Sequence, residues 1–486
     1  MSPTATRSEA AASASRRAWA PRWLVVLHRY LGVVLGLLML AWCLSGVVML
    51  FVAYPSLPQE ERLARLGPID WAHCCAFGDA VAPDAKVDAA AIEQFAGRPI
   101  LRLKLADGGR KTLDLSAGRP IGPVSRLEAL AVAEPWALPA AVDVVIRDQW
   151  TVSGELNRAR PFWRIRLADP KDTDLYVSQV SGQVVQRTTA TSRFWNWLGA
   201  VPHWLYPTIL RQDAKLWSQV VIWTSLAGTF LTVVGLYLGL MSWRPFGDKR
   251  LSPFRGLMTW HHLTGLATGV LTLTWVVSGL VSMNPWGFLE SPGDPAADRI
   301  AGPPPAFADV RAALEAAAAH VPTVAQVKLA PFNGQAFVLA GDTRLDAAGR
   351  PAPLSPADLA AAGRRLGAVA AQGPITTEDA YYFSHHEPVT LPAWRVLLAD
   401  GRRAYLDPRS GALLAEMDAR AKGYRWLHQG LHRFDFVPGW RQGPVWAAGV
   451  LILLIPVAFG VGTGVWLAWR RIGLDLHQLR QRFRST

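Results

Sequence analysis

The sequence predicts an α-helical membrane protein: four membrane-crossing helices, internally duplicated, carrying two soluble α+β regions. Three observations predict it. Of 486 residues, 51% are hydrophobic and the mean hydropathy is +0.16, high for a water-soluble chain. Four uncharged runs (31–52, 216–243, 257–288 and 443–469) each reach the roughly 20 residues needed to span about 30 Å of hydrocarbon. One motif, His28-x3-Gly32-x3-Gly36-x5-Trp42-x2-Ser45-Gly46, recurs at His261 with Gly265, Gly269, Trp275, Ser278 and Gly279 at the same spacings.

Taken in order, residues 1–22 form an Ala/Ser/Arg-rich tail and 23–53 the first membrane helix, too long for the apolar core of a cleaved signal and therefore an anchor. Residues 54–190 have soluble composition, and the alternating runs at 100–115 and 164–185, broken by Gly and Asp, predict hairpins. A juxtamembrane segment (191–214) leads into the second helix (215–243), a short loop (244–256) and the third helix (257–288). A second soluble region (289–420) opens on a Gly302-Pro-Pro-Pro305 linker and predicts an amphipathic helix around 310–320. A second juxtamembrane segment (421–442), the fourth helix (443–469) and a tail (470–486) complete the chain.

Basic residues fix the orientation. Arg7, Arg16, Arg17 and Arg22 precede the first helix. Arg244, Lys249, Arg250 and Arg255 fill the short loop, and Arg470, Arg471, Arg480, Arg482 and Arg484 follow the fourth helix. The positive-inside rule assigns all three to the cytoplasm, so both termini are cytoplasmic and both soluble regions lie outside. The net charge of +13 is then a consequence of topology and calls for no nucleic acid. The three cysteines, Cys43 and the neighbours Cys74 and Cys75, suggest neither a disulfide framework nor covalent haem attachment.

The two halves superpose in register. Tyr176, Gly182, Trp197, His203, Trp217 and Gly235 match Tyr405, Gly411, Trp426, His432, Trp446 and Gly464 at one offset of 229, and the opening helices match at 233. Each half crosses twice, so its copies share an orientation about an axis along the membrane normal.

Of eleven histidines the repeat singles out four. His28 and His261 begin outward-running helices, near the cytoplasmic face. His203 and His432 precede inward-running ones, near the outer face. One pair per side is the arrangement that two bis-histidine b-type haems require, since imidazoles from two helices can hold one iron between them. Gly32/Gly36 and Gly265/Gly269, on the histidine's own helical face, would leave room for a flat macrocycle, with Trp42 and Trp275 further along. His262 is an alternative to His261, and His428, one turn before His432, an alternative to it. Pro202, where the second copy has Leu431, distinguishes the setting of His203. His385 and His386, before Glu387 and after Tyr381 and Tyr382, are candidates for contact with a metal chelate.

The His28 motif, the run Trp426-Leu-His428-x3-His432-Arg-Phe-Asp435 and the hairpin-like Tyr405-Leu-Asp-Pro-Arg-Ser-Gly411 together resemble the PepSY-associated transmembrane family over essentially the whole chain after its tail. The resemblance implies a bacterial inner-membrane protein with two periplasmic PepSY-like domains, similar to haem-containing ferric-siderophore reductases. It implies haem b as cofactor, a ferric siderophore or other iron chelate as substrate, and a separate electron donor such as quinol or a cytoplasmic reductase. No dinucleotide glycine fingerprint is present to supply reductant within the chain. The competing class is a non-redox PepSY module that regulates a periplasmic peptidase or assists uptake of an iron complex. A transporter is disfavoured because the four uncharged runs carry no Asp, Glu, Lys or Arg to mark an ion path.

Overall fold

The computed structural model describes residues 21–243, 251–293, 295–321, 323–385, 388–437 and 439–484. The expected tail up to residue 20, the basic stretch 244–250 and the candidate His386 lie outside them. Four long helices form where the apolar runs predict them: α1 (Arg22–Met49), α2 (Ala214–Ser242), α3 (Leu257–Ser282) and α4 (Gly443–Arg484). All four are long and apolar enough to cross a membrane. α3 packs on α2 and α4, and α1 packs on α4 and α2, closing a four-helix bundle. α2 opens on Asp213, whose carboxylate accepts from the N–H groups of Lys215 and Leu216.

Two ends depart from the sequence prediction. α3 stops at Ser282, because Asn284 takes a left-handed conformation and Pro285 follows, so the apolar run to Phe288 is not helical throughout. α4 continues through 470–484, where a tail is expected. Its Arg471–Asp475 pair spans one turn at 3.0 Å, and the Tyr30 hydroxyl donates to Asp475 at 3.3 Å, which ties the extension to α1.

The soluble regions also differ from expectation, which is two separate units. A seven-stranded sheet takes strands from both. The first region supplies β1 (Val87–Phe95), β2 (Arg98–Leu105), β3 (Arg110–Asp114) and β4 (Arg119–Pro120). It also forms a four-stranded sheet, β5 (Pro139–Val145), β6 (Phe162–Leu167), β7 (Asp174–Ser178) and β8 (Val184–Thr188). The second region adds β9 (Gln326–Leu329), β10 (Val338–Ala340) and β11 (Thr343–Leu345) to the shared sheet, in the order β11-β10-β9-β1-β2-β3-β4. A last sheet contains β12 (Val369–Ile375), β13 (Ala393–Leu398), β14 (Arg403–Leu406) and β15 (Leu413–Met417). The predicted hairpins and the amphipathic helix (Phe307–Ala318) are present. That helix buries Val310, Leu314 and Ala317 in one core with Ile92 and Leu101 of the first region, so neither region's core is complete alone. Because one sheet joins both, both lie at the end of the bundle where α1 and α3 finish.

The seam between the regions, where β1 runs antiparallel to β9, carries a buried ion cluster. Glu93, 1% exposed, accepts from Arg62 at 2.7 and 2.9 Å, from Arg102 at 3.3 Å and from Gln326 of β9 at 2.5 Å. Burial pushes the Glu93 carboxyl up, but these donors and the two arginine charges overrule it and hold it at about 2, below its ordinary 4.5. A carboxylate depressed in the folded state stabilises above its unfolded value, and that contribution is lost as pH falls from about 4.5 towards about 2. Near-ultraviolet circular dichroism during acid titration should therefore show Glu93→Gln losing part of the wild type's steepness in this window. An unchanged acid transition in the variant would remove Glu93 from the account.

The two four-stranded sheets carry matching contacts. Each is preceded by a helix with a capping box, Ser125 with Glu128 and Ser355 with Asp358. The buried Tyr176 hydroxyl donates to Asp148 at 2.6 Å and the buried Tyr405 hydroxyl to Asp379 at 2.9 Å. Gly182 and Gly411 both have positive φ (+68° and +80°), and a Cβ at either would strike a phenylalanine of the shared sheet's layer, Phe95 or Phe332. Cys74 and Cys75 depart from prediction: they form a disulfide, packed against the shared sheet's core. Spacing arguments look for separated cysteines and pass over neighbours.

Candidate functional site

The bundle brings the four histidines together as two pairs. At the end away from the sheets, His28 of α1 faces His261 of α3, ring centroids 6.4 Å apart with planes at 34°. At the sheet end, His203 faces His432 at 6.0 Å and 71°. His203 ends a short helix, Ala200–His203, and His432 lies in another, Leu431–Arg433, each folded back along the bundle before its long helix starts. Pro202 is accommodated within the first and leaves His203 facing its partner. From His28 to Ser45 along α1, at about 1.5 Å per residue, the pairs lie roughly 25 Å apart.

Three of the four imidazoles are oriented through Nδ1. His203 Nδ1 lies 3.1 Å from both Ser45 Oγ and the Trp42 carbonyl. His432 Nδ1 lies 3.0 Å from Ser278 Oγ, while Trp275 Nε1 donates to the His432 carbonyl at 2.9 Å. His261 Nδ1 lies 3.1 Å from the Gly460 carbonyl. His28 Nδ1 is buried beside the Leu231 carbonyl, the residue 229 before Gly460, without reaching hydrogen-bonding geometry. At His203 and His261 a carbonyl at Nδ1 places the ring proton there and leaves the Nε2 lone pair free to bind a metal. Burial pushes the sheet-end imidazoles down, His203 to about 4 and His432 well below its ordinary range, so both are neutral at pH 7.

The repeat's serines, and the glycines opposite the rings, thus acquire roles that sequence matching leaves unassigned. A Cβ at Gly235 of α2 would stand 2.6 Å from His28 Cε1, and one at Gly464 of α4 would stand 2.7 Å from His261 Cε1. Only glycine lets these helices approach the rings. Gly32 and Gly265 face open space, as a macrocycle would require. Gly36 and Gly269 do not, which corrects the expectation for them: Cβ atoms there would press on Val465 and Leu236 side chains, so they serve helix packing.

The alternatives separate clearly. His262 is buried and turned away from the pair, with Nδ1 2.9 Å from Ser252 Oγ and Nε2 2.9 Å from the Gly239 carbonyl. Both nitrogens are engaged, which removes His262 as a substitute ligand. His428 stands beside His432, centroids 5.4 Å apart, with Nδ1 3.0 Å from the Ser278 carbonyl, on a π-helical turn (Arg425–Gly430). His432, not His428, is the ring that meets His203, edge-on at 6.0 Å.

His385 is not presented to a chelate in solution, which corrects that expectation. Its side chain is 9% exposed, with Nε2 3.2 Å from Asp435 Oδ2 and Nδ1 3.2 Å from the Arg441 carbonyl. There it joins a cluster in which Arg425 and Arg441 reach the same carboxylate at 3.1 and 2.9 Å and lie 4.4 and 4.2 Å from the Phe383 ring centre. A buried carboxylate between two guanidinium groups draws the histidine inward. Sequence reading misses this cluster because its members are spread from 385 to 441.

Among the described residues no three or more His, Cys, Asp or Glu converge as a metal site. The pairs fit a different geometry. Two metal–imidazole bonds of about 2.0–2.1 Å, each extended by a ring-to-centroid distance of roughly 1.2 Å, place centroids roughly 6.4–6.6 Å apart. The His28–His261 separation of 6.4 Å falls at the edge of that range, and the His203–His432 separation of 6.0 Å is slightly shorter. With free Nε2 atoms, glycine-cleared ring contacts and open space at Gly32 and Gly265, the residues would suit two irons, His28 with His261 for one and His203 with His432 for the other.

A family model described as the PepSY-associated TM region matches residues 25–366, well over half of the chain. No curated protein matches it.

Proposed function

The chain belongs to the family of the PepSY-associated TM region, and from that premise we propose that it is a haem b oxidoreductase of the bacterial inner membrane that reduces a periplasmic ferric siderophore and releases iron(II). The observation that carries the proposal is the pair of histidine pairs, at 6.4 and 6.0 Å, at opposite ends of one bundle. His28 with His261, and His203 with His432, would hold one haem each, and a bound haem supplies reversible one-electron transfer. The chain's own residues do the rest. Nδ1 contacts to Gly460, Trp42, Ser45 and Ser278 fix ring orientation and tautomer. The apolar bundle excludes water around the imidazoles.

On this reading the chain is an internal duplication, its basic flanks face the cytoplasm, and the sheet layer lies in the periplasm. Reduction at the sheet end is chemically suited to iron release, because iron(II) is a poorer match than iron(III) for the hard oxygen ligands of such chelates. A periplasmic ferric chelate would meet the sheet layer, next to the His203–His432 pair.

The test is the absorption spectrum of the detergent-purified protein, oxidised and then dithionite-reduced, with haem quantified per chain. Two b-type haems per chain are expected, followed by ferric-chelate reduction on addition of a donor. No haem after expression with ample haem supply would overturn the redox reading and favour the non-redox PepSY module.

A further inference from the structure

At the end of the bundle away from the sheets, the chain entering α3 folds into a cavity. Leu251, Ser252, Phe254, Arg255 and Gly256, with Thr259 and Leu263 of α3, line an open-mouthed cleft of about 640 Å³. This is the size range of small-molecule sites, roughly 300–1,000 Å³. Its walls are held in place from inside the bundle. Ser252 is buried and hydrogen-bonds His262 Nδ1 at 2.9 Å, and the Phe254 ring meets the His262 ring edge-on at 5.3 Å. His262 Nε2 must donate to the Gly239 carbonyl, so Nδ1 accepts the Ser252 proton and the loop is locked to α2 and α3 together. His262, excluded as an iron ligand, has this work instead.

The lining combines apolar surface (Leu251, Phe254 and Leu263) with two hydrogen-bonding groups suited to an oxygen acceptor, the Arg255 guanidinium and the Thr259 hydroxyl. The cavity lies where a membrane helix begins, so a ligand could enter from the lipid. His261 lies on α3 two residues from both Thr259 and Leu263, so the cleft and the His28–His261 pair share this turn of the helix. The chain carries no nicotinamide fingerprint of its own.

We propose that this cavity is the electron-entry site and binds a membrane quinol, its ring between Phe254 and Leu263 and its oxygens on Arg255 and Thr259. The proposal rests on the redox reading above for its purpose, though not for the binding itself. Oxidation of one quinol to quinone releases two protons at this end and two electrons towards the His28–His261 pair. Two ferric chelates at the far end each accept one electron and become ferrous.

The experiment uses the full chain in phosphatidylcholine nanodiscs with a photoreactive azidoquinone, peptide mapping of the label and a parallel dithionite spectrum. Label is expected within residues 251–263, displaced by decylubiquinone and not by phosphatidylglycerol. Thr259→Trp, filling the cavity, and Arg255→Ala, at an exposed side chain, should each reduce labelling by about tenfold, the equivalent of about 1.4 kcal/mol. In the haem-loaded protein, decylubiquinol should reduce the variants more slowly than wild type, with dithionite reduction unchanged. Label elsewhere, or label displaced by the anionic lipid, overturns the quinol site whatever the spectrum contains. Label within 251–263 on a protein without haem supports the site and overturns the redox reading.

Discussion

His432→Ala is expected to halve the haem bound per chain while leaving the His28–His261 site loaded. His432 is opposed by His203 at 6.0 Å and held by Ser278 Oγ at 3.0 Å and, through its carbonyl, by Trp275 Nε1 at 2.9 Å. Removing the imidazole leaves His203 without an opposing ligand across the proposed iron. His28→Ala should give the complementary loss, and the double variant should carry none. A pyridine haemochrome assay on each purified variant reads the stoichiometry directly. His428 sharpens the test, because its ring stands 5.4 Å from His432 while His432 is the ring that opposes His203. His428→Ala should keep both haems. Full haem content in His432→Ala would show that the sheet-end ligand is misassigned.

The second large effect concerns stability. Asp435 is fully buried, and Arg425 and Arg441 are 1% and 4% exposed. Truncating the carboxylate in Asp435→Leu leaves two guanidinium groups without their shared counter-charge. Removing one partner of a buried ion pair typically costs about 3–5 kcal/mol, most of it the cost of a stranded charge. The cluster ties the loop at Phe383–His385 to the segment that carries His432 into α4, so the loss should lower the Tm of the detergent-solubilised protein markedly. Adding Arg441→Met to Asp435→Leu should recover part of it, since one stranded charge is then gone. If Asp435→Leu alone leaves the Tm unchanged, the cluster is not a stabilising element.

Some of this molecule is legible directly from the chain. The four apolar runs set the four helices, because crossing hydrocarbon demands about 20 uninterrupted apolar residues and leaves no other choice of structure. The repeat sets which histidines matter, since one register carries His28 onto His261 and His203 onto His432. It also marks Gly235 and Gly464, though not why they are glycine. Their reason is a ring from another helix within 3 Å of where a Cβ would sit, and a contact between helices has no local signature.

The same limit explains the other departures. Sharing of one sheet by both soluble regions depends on β1 pairing with β9 across more than 200 residues, and each strand alternates equally well with either partner. His261 and His262 are neighbours with identical side chains, and sequence leaves both open as ligands. The helix decides, because it points one at His28 and the other at Ser252 and Gly239. His385 reads as a chelate contact beside tyrosines until the fold buries it against Asp435. The sequence by itself determined the membrane-spanning class, the number of spans and the four paired histidines, because hydrophobic length and internal repetition are properties of a single strand of text. Only the tertiary structure decided which ring faces which, which nitrogen is free and which charges share a carboxylate, because those depend on side chains meeting across helices far apart in the chain.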